Sequence, residues 1–237
     1  MNELILGVEV LFVFSFVLIS KKLFGKTGLI CWVSMATILA NIITAKNVPL
    51  FGLNTAIGTV MFASTFLATD ILSECYSPVD AKKAVCLGLF ADVVLIVATQ
   101  IALLYTPSEF DYAHDAMTTL FSLNLRISIA SAVMYFIANI ADIYIFNRIK
   151  TIMKSRHMWV RNNVATILCN CVENFGFIAL AFWGIYDINT IINIAVSTSI
   201  IECLVAILDT PFLYLAVHIK SVESIFNKGG IKYEISD

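Results

Sequence analysis

Charged residues are scarce in this sequence. Asp, Glu, Lys and Arg make up 14% of its 237 residues, whereas a soluble domain carries about a quarter. Hydrophobic residues make up 59%, and the mean hydropathy is +0.89. Several runs of 17 or more mostly apolar residues are long enough to cross a hydrocarbon core about 30 Å thick. The composition therefore excludes an ordinary soluble domain and predicts an all-α, polytopic integral membrane protein.

Motifs for nucleotide hydrolysis and for common catalytic sites are absent. The sequence has no G-x-x-x-x-G-K-[ST], so ATP hydrolysis would require another chain. It also lacks H-E-x-x-H, a nucleophile elbow and the Gly-x-Gly-Asp of intramembrane acid catalysts. Its histidines, His114, His157 and His218, fall in loops or at helix ends. We therefore expect no metal site, no cofactor and no enzymatic activity.

The cysteines do not form a metal-binding pattern. All six fall in or at the ends of apolar runs, and the i,i+2 spacing of Cys169 and Cys171 turns them to different helix faces. We interpret them as small buried hydrophobic side chains. The six are Cys31, Cys75, Cys86, Cys169, Cys171 and Cys203.

Seven apolar segments predict seven membrane-spanning helices in a single domain, residues 1–219, followed by a polar tail, residues 220–237. The N-terminal stretch MNELILG lacks the basic residues that begin a signal peptide, so its apolar run is expected to remain as a first span. Helices satisfy their backbone hydrogen bonds internally, as the bilayer requires. The predicted spans are residues 4–20, 28–45, 56–76, 84–105, 125–149, 164–183 and 188–217.

Basic residues are scarce in every second connection. The loop of residues 106–122 has no Lys or Arg, and 13 of the 15 basic residues fall in the alternate connections or the tail. Lys46 and Arg126 are the two others. Because basic residues favour the cytoplasmic side, the pattern places the N-terminus outside and the C-terminus in the cytoplasm.

Eight acids nevertheless lie inside the predicted spans. Each costs roughly 2.5–3.5 kcal/mol at mid-bilayer even on lenient scales, so these acids are expected to face the bundle interior or water. Asp70, Asp142, Asp209 and Glu173 lie about six to ten residues from the cytoplasmic ends of their helices, which predicts one shared layer of carboxyl groups. We interpret Asp70, Asp142 and Glu173 as functional. Glu9 and Glu202 are assigned to helix contacts or contacts between protomers, and Asp92 is left open between the two classes; the eighth acid is Glu74.

Amide and aromatic side chains accompany the acids at helical spacing. Donors and acceptors are expected from Asn41, Asn139, Asn170 and Asn174. Four aromatic residues are candidates for stacking on a flat ligand or for ordinary packing: Trp32, Phe175, Phe177 and Trp183. Pro211 follows Asp209 closely and predicts a kink in the last helix. Broken helices beside buried polar groups occur in transporters, and simple proline kinks without function are equally consistent with this pattern.

Four stretches of the chain resemble the queuosine precursor transporters, also described as the vitamin uptake transporter family. They are TFLATDILSECY (65–76), LRISIASAVMYFIANIADIYIFNRIK (125–150), WVRNNVATILCNCVENFGFIALAFW (159–183) and LDTPFLYLA (208–216). The resemblance covers residues 28–217, a six-helix core that leaves the first span outside. It implies import of 7-deazaguanine bases (cyano, aminomethyl or queuine) that serve tRNA modification, with no direct contact to nucleic acid.

The resemblance also implies roles for individual residues. The family's polar positions fall on Asp70, Glu74, Arg126, Asp142, Arg161, Asn162 and Asn163. Asp70 would help to hold a purine-like ring, and Glu74 would receive the base or hold a gate closed. Arg126 would pair with an acid, and residues 161–163 would cap the sixth span. With the amides, the expected substrate site is Asn41, Asp70, Glu74, Arg126, Asn139, Asp142, Asn170, Glu173, Asn174 and Asp209.

The chain departs from the family pattern at three positions. Glu173-Asn174 stands where members often have Asp-Thr or Asp-Ser, Asn139 where many have Gln, and Ser77 where many have Gly. A longer acid opposite a shorter amide would reshape the pocket for a different base.

Other functions stay open at this point. The chain could be the substrate-binding component of an energy-coupling factor transporter, which needs separate ATPase and scaffold chains, or a carrier for an unrelated vitamin-like base. An intramembrane enzyme with Asp70 and Glu173 as an acid pair is the third alternative. Proton coupling and trapping by tRNA modification are both compatible with these residues, and so is a homo-oligomer.

Overall fold

The computed structural model describes residues 1–121, 125–184 and 187–222, except the side chains of residues 47, 54, 56 and 125–128. These residues form a helical bundle with one small hairpin. The helices are α1 (Asn2–Ile43), α2 (Thr59–Cys75), α3 (Pro78–Leu103), α4 (His114–Phe121), α5 (Leu125–Ile152), α6 (Met158–Phe182) and α7 (Ile188–His218), and the strands are β1 (Asn47–Leu50) and β2 (Leu53–Ala56).

Helix α1 contains the first two predicted spans. The helical backbone is interrupted at Gly25, where φ is 57° and ψ is −134°. Glycine adopts this positive φ without the steric cost that a Cβ atom would impose. The short basic connection expected between residues 20 and 28 is therefore a break at one residue, and the whole element is 42 residues long.

A β-hairpin connects α1 to α2 and departs from the all-α prediction. Strands β1 and β2 pair antiparallel, with Leu50 opposite Leu53. Phe51 and Gly52 form the turn, and both have positive φ, 51° and 79°. Two-residue hairpins favour such turns but usually signal themselves through Asn-Gly or Asp-Gly, and this hairpin lacks both sequences.

Within the described part of the chain, five helices are long and apolar enough to cross a membrane: α1, α3, residues 129–152 of α5, α6 and α7. Helix α2 has 17 residues and lies at the centre, in contact with α1, α3, α5 and α7. Large apolar side chains cover much of the outer surface, among them Phe12, Phe90 and Ile200. A surface of this kind suits contact with lipid and would be unfavourable in water.

Basic residues from separate connections meet at one end of the bundle, which we call the basic end. Lys26, just after the break in α1, pairs with Asp80 at the start of α3 at 3.3 Å. Lys150, near the end of α5, pairs with Glu74 near the end of α2 at 2.9 Å. Lys21 is 3% exposed and donates a 2.5 Å hydrogen bond to the carbonyl of Ala216 in the last turn of α7. The basic connections predicted from the sequence therefore lie together at the basic end. The orientation of that end in a membrane stays a prediction.

Helix α4 and the hairpin belong to the opposite end. Helix α4 packs against α3, and the Gln100 side chain donates to the carbonyl of Phe121 at 2.6 Å. Neither element was expected from the sequence. Helix α4 is only eight residues long, which is too short to stand out as an apolar segment.

Candidate functional site

A cavity of about 430 Å³ lies in the half of the bundle opposite the basic end. Its volume falls within the roughly 300–1,000 Å³ typical of small-molecule sites. Helix α4 contributes Leu120 and Phe121 to its wall, and the hairpin contributes Thr55. The polar side chains deeper in the cavity are Asn41, Asp92, Tyr135, Glu173, Asn174 and Glu202.

Two of the three carboxyl groups in the cavity are paired with neighbouring amides. Asn41 donates to Asp92 at 2.7 Å, which joins α1 to α3. Asn174 donates to Glu202 at 2.5 Å, which joins α6 to α7. Glu173 differs, because its Oε2 atom is buried and has no hydrogen-bond partner among the described residues. Among the described acids of the cavity, Glu173 therefore has a buried carboxyl oxygen that a ligand can satisfy.

Aromatic rings provide flat apolar surfaces in the same space. Phe62, Phe177 and the buried Tyr135 line the cavity, and Tyr135 packs edge-on against Phe62 with ring centroids 5.9 Å apart. Among the aromatic residues expected from the sequence, Phe177 reaches the cavity. Trp32 instead donates its indole N–H to Ser64 at 2.9 Å, and Phe175 and Trp183 are exposed on the outer surface.

A second group of carboxyl side chains, the aspartate cluster of Asp70, Asp142 and Asp209, lies nearer the basic end. All three are 0% exposed, and Asp142 and Asp209 both lie near Asp70. Thr166 donates to Asp142 at 3.2 Å, and Asn162 donates to Asp209 at 2.6 Å. Neither oxygen of Asp70 accepts a hydrogen bond from a described donor.

Ion pairs close the basic end beyond the aspartate cluster. The Glu74 network consists of Glu74, Lys150 and Arg161, with Oε2 of Glu74 2.5 Å from the Arg161 guanidinium and 2.9 Å from the Lys150 ammonium. Arg161 also lies 5.1 Å from the centroid of the Phe146 ring. Because the three charged residues belong to α2, α5 and α6, the network fastens three helices together.

Helix α6 connects the cavity to the aspartate cluster through a row of polar residues at every fourth position. Asn162 and Thr166 contact the cluster, and Asn174 contacts Glu202 in the cavity. Asn170 lies between them, 1% exposed and with its carbonyl oxygen unpaired among the described residues. Since i,i+4 residues share a helix face, this row follows one side of α6 through the bundle.

Asn139 occupies the corresponding middle position on α5. It is 0% exposed and donates to the Tyr135 carbonyl at 3.0 Å. Thr65 of α2 lies 3.5 Å from its side-chain oxygen.

The structure divides the expected layer of carboxyl groups into two. Asp70, Asp142 and Asp209 come together, whereas Glu173 lies in the cavity beside Glu202. The similar distances from the predicted helix ends did not give a shared depth, because α6 begins at Met158 and not at residue 164. The side chain of Arg126 is outside the described part of the chain, so its predicted pairing stays a prediction.

The expectation that residues 161–163 cap α6 is wrong. Arg161 pairs with Glu74, Asn162 donates to Asp209, and Asn163 donates to the Thr210 hydroxyl at 2.7 Å. All three lie inside the helix, whose preceding residue is His157 with a φ of 51° and no side-chain cap. Helix α7 continues through Pro211, beside this set of contacts.

Sequence reasoning did not assign Asp92, Glu202 or Tyr135 to the site. A signal was available for Glu202, which lies seven residues before Asp209 and therefore on the same face of α7, about 10 Å further along the helix. In residues 1–121, 125–184 and 187–222, no group of three or more His, Cys, Asp or Glu side chains is arranged to hold a metal ion.

Comparisons with known proteins agree on one family. A family profile described as "Putative vitamin uptake transporter" matches residues 56–216. A "Probable queuosine precursor transporter" of Bacillus subtilis (strain 168) is 36% identical over 204 residues, 86% of this chain and 89% of that protein. The "Queuosine precursor transporter" of Escherichia coli (strain K12) is 28% identical over 158 residues, 64% of this chain and 68% of that protein.

A further relative is the "Probable queuosine precursor transporter" of Haemophilus influenzae, 28% identical over 137 residues, 58% of this chain and 56% of that protein. No solved structure matches the chain. The long apolar helices and these relatives together make the chain a multi-pass protein of the cell membrane. It belongs to the vitamin uptake transporter family, and its relatives in Escherichia coli and Bacillus subtilis are named as a queuosine precursor transporter and a probable one.

Proposed function

We propose that this protein imports a queuosine precursor, a 7-deazaguanine base, across the cell membrane. The observation that carries the proposal is a 430 Å³ cavity lined by carboxyl, amide and aromatic side chains, in a chain 36% identical to a protein named as such a transporter. The ring of a 7-deazaguanine presents N–H donors, which carboxylate and amide oxygens accept. Phe62 and Phe177 supply apolar surfaces for its two faces.

The substrate enters the cavity first. In the proposed orientation the N-terminus is outside and the basic end faces the cytoplasm, so the cavity belongs to the outer half of the bundle. Seven spans follow if α1 crosses twice, once on each side of Gly25, and α2 crosses as a short central helix. Glu173, Asn174 and Asn41 bind the base at this stage.

The base then passes along α6 toward the aspartate cluster. Asn170 and Asn139 offer hydrogen-bonding groups between the two sites, and Asp70, Asp142 and Asp209 receive the N–H groups of the base next. The Glu74 network must open for release, because its ion pairs join α2, α5 and α6 at the cytoplasmic end. This arrangement corresponds to a carrier closed toward the cytoplasm, which alternates its access as secondary transporters do.

Queuosine content of tRNA tests this function directly. A bacterial host that lacks both queuosine synthesis and its own importer would express the native chain, and each precursor would be fed at nanomolar concentration with the matching downstream enzymes present. The native chain is expected to restore modified tRNA. Glu173→Gln is expected to reduce it when the aminomethyl precursor is limiting, whereas Glu109→Gln, at an exposed loop position, keeps full modification. No modification from any precursor, with folded protein present in the membrane, would overturn the substrate assignment.

A further inference from the structure

The described part of the cavity lining is negatively charged. Three acidic side chains line it, Asp92, Glu173 and Glu202, and none of its described lining residues is Lys, Arg or His. In a membrane protein such groups are expensive unless paired, and uncompensated carboxylates inside a bundle mark sites that receive a cation or a proton.

Glu173 and Glu202 line the same cavity, from α6 and α7. Asn174 compensates Glu202 with a 2.5 Å hydrogen bond, and Asn41 compensates Asp92 with one of 2.7 Å. No described donor compensates the buried Oε2 of Glu173. A positive charge placed beside Glu173 would therefore supply the partner that no described residue provides.

We propose that the cavity selects a base with a positively charged side group, with Glu173 as the counter-ion. This inference rests on the import function proposed above and narrows it. Among 7-deazaguanine bases, an aminomethyl group is a cation at neutral pH, whereas a cyano group is neutral and accepts hydrogen bonds only. The aminomethyl ammonium pairs with Glu173 while the ring lies against Phe62 and Phe177, which also stabilise a cation near their faces.

The cyano base gains nothing from Glu173. Its nitrile nitrogen is an acceptor and would face the carboxyl oxygens of Glu173 and Glu202, which are also acceptors. Juxtaposing unpaired acceptors in a buried site costs free energy, so the cavity rejects the neutral base as well as attracting the cation.

Competition for uptake tests the proposal. Vesicles that contain the native protein would take up labelled aminomethyl base in the presence of increasing unlabelled cyano or aminomethyl base. The cyano base is expected to need at least a tenfold higher concentration for half-inhibition. Glu173→Gln is expected to weaken uptake of the aminomethyl base at least tenfold while uptake of labelled cyano base is unchanged or higher. Glu109→Gln removes the same charge from an exposed loop and should keep the native preference.

The outcomes distinguish the charge selectivity from the import function. Equal competition by the two bases, or a preference for the cyano base, overturns the charge selectivity and leaves the import function standing. An equal loss of both bases in Glu173→Gln, at normal protein abundance, rules out Glu173 as the counter-ion. Uptake of neither base by the native chain overturns the import function and the selectivity together.

Discussion

Arg161 on α6 and Glu74 on α2 form an ion pair at the basic end of the bundle, 2.5 Å apart, although the Arg161 side chain is only 1% exposed. A guanidinium buried to this degree depends on its carboxylate partner, since an uncompensated buried charge is strongly destabilising. Lys150 reaches the same oxygen from α5. Glu74 therefore binds a basic residue on each of two helices, α5 and α6. Its removal should affect both the stability of the protein and access to the interior of the bundle.

Glu74→Gln is expected to lower the free energy of unfolding by about 3 kcal/mol, because Arg161 keeps its charge and loses its partner. The basic end should also open more often. Cys169, which is 3% exposed and lies near Asp142, can report this opening when the other five cysteines are replaced by Ser. Thermal unfolding in detergent and labelling of Cys169 by an impermeant maleimide in inside-out vesicles are the two measurements, and labelling should accelerate at least severalfold.

Two further variants separate closure from a general loss of stability. Asp80→Asn breaks the neighbouring pair with Lys26 and should leave the labelling rate at its native value. Arg161→Gln added to Glu74→Gln should recover much of the lost stability, since the charge that remains is the partly exposed Lys150 and not the buried Arg161, while labelling stays fast. An unchanged labelling rate in Glu74→Gln would show that this ion pair does not close the bundle.

Asp70→Asn is expected to stabilise the protein while impairing transport. Asp70 is 0% exposed, has no described hydrogen-bond donor and lies beside Asp142 and Asp209. The new amide can donate to those carboxyl groups and removes one acid from the cluster, which should raise the free energy of unfolding by about 1 kcal/mol. Queuosine in tRNA should fall in the same variant. A lower unfolding temperature would contradict this account, because it would mean that the Asp70 carboxylate is favourably paired with Arg161.

The long spans could be predicted from the sequence because bilayer thickness imposes length and hydrophobicity on α3, α5 and α7. The presence of buried acids could be predicted for the same reason, since a carboxyl group within a membrane-spanning helix avoids lipid by facing the interior of the bundle. The division of those acids into two groups could not. It depends on where each helix begins and on how the helices rotate against one another, and the apolar run of the sixth span starts several residues after Met158, the first residue of α6.

Arg161 illustrates the same limit. Its charge placed it outside the span, as a helix cap, whereas its position in the first turns of α6 aims it at Glu74. The hairpin between α1 and α2 was missed because Phe51-Gly52 carries no standard turn signal. Asp92 became recognisable as a cavity residue only through Asn41 on another helix, a contact between residues 51 positions apart.

Gly88→Ala is expected to lower the free energy of unfolding by about 1–3 kcal/mol through overpacking. A Cβ atom at Gly88 on α3 would collide with the hydroxyl of Tyr135 on α5 and approach Thr37 Oγ1 at 3.2 Å. Tyr135 is 2% exposed and cannot move aside easily. Because Tyr135 also lines the cavity, displacement of its ring should reduce uptake as well.

Tyr135→Phe provides the rescue for Gly88→Ala. It removes the hydroxyl that the new methyl group meets, and Thr37 keeps its 2.8 Å hydrogen bond to the Val33 carbonyl. The double variant should therefore unfold at a higher temperature than Gly88→Ala alone. Additive losses in the double variant would place the strain of Gly88→Ala at Thr37 rather than at Tyr135.

The start of α7 is expected to lose stability in acid through Asp187. This exposed residue precedes the helix and accepts hydrogen bonds from the Thr190 hydroxyl at 2.6 Å and from the backbone N–H groups of Asn189 and Thr190 at 3.1 Å. The hydrogen bond from the Thr190 side chain, followed by that from its backbone, lowers the pKa of Asp187 below its ordinary value of 3.8. A carboxyl group with a lowered pKa stabilises the fold above its ordinary value, and this contribution disappears as the pH falls through the lowered one.

Asp187→Ser isolates that contribution, because the hydroxyl keeps a capping acceptor and has no charge to lose. The native protein should unfold at a higher temperature than the Ser variant near neutral pH, and the gap should shrink from about pH 5 to about pH 3. Measuring both proteins at each pH cancels the acids they share. Asp187→Ala, which removes the acceptor altogether, should unfold at a lower temperature than the Ser variant throughout. A gap between the native and Ser proteins that stays constant down to about pH 3 would mean that the position of the acceptor, and not its charge, stabilises the first turn of α7.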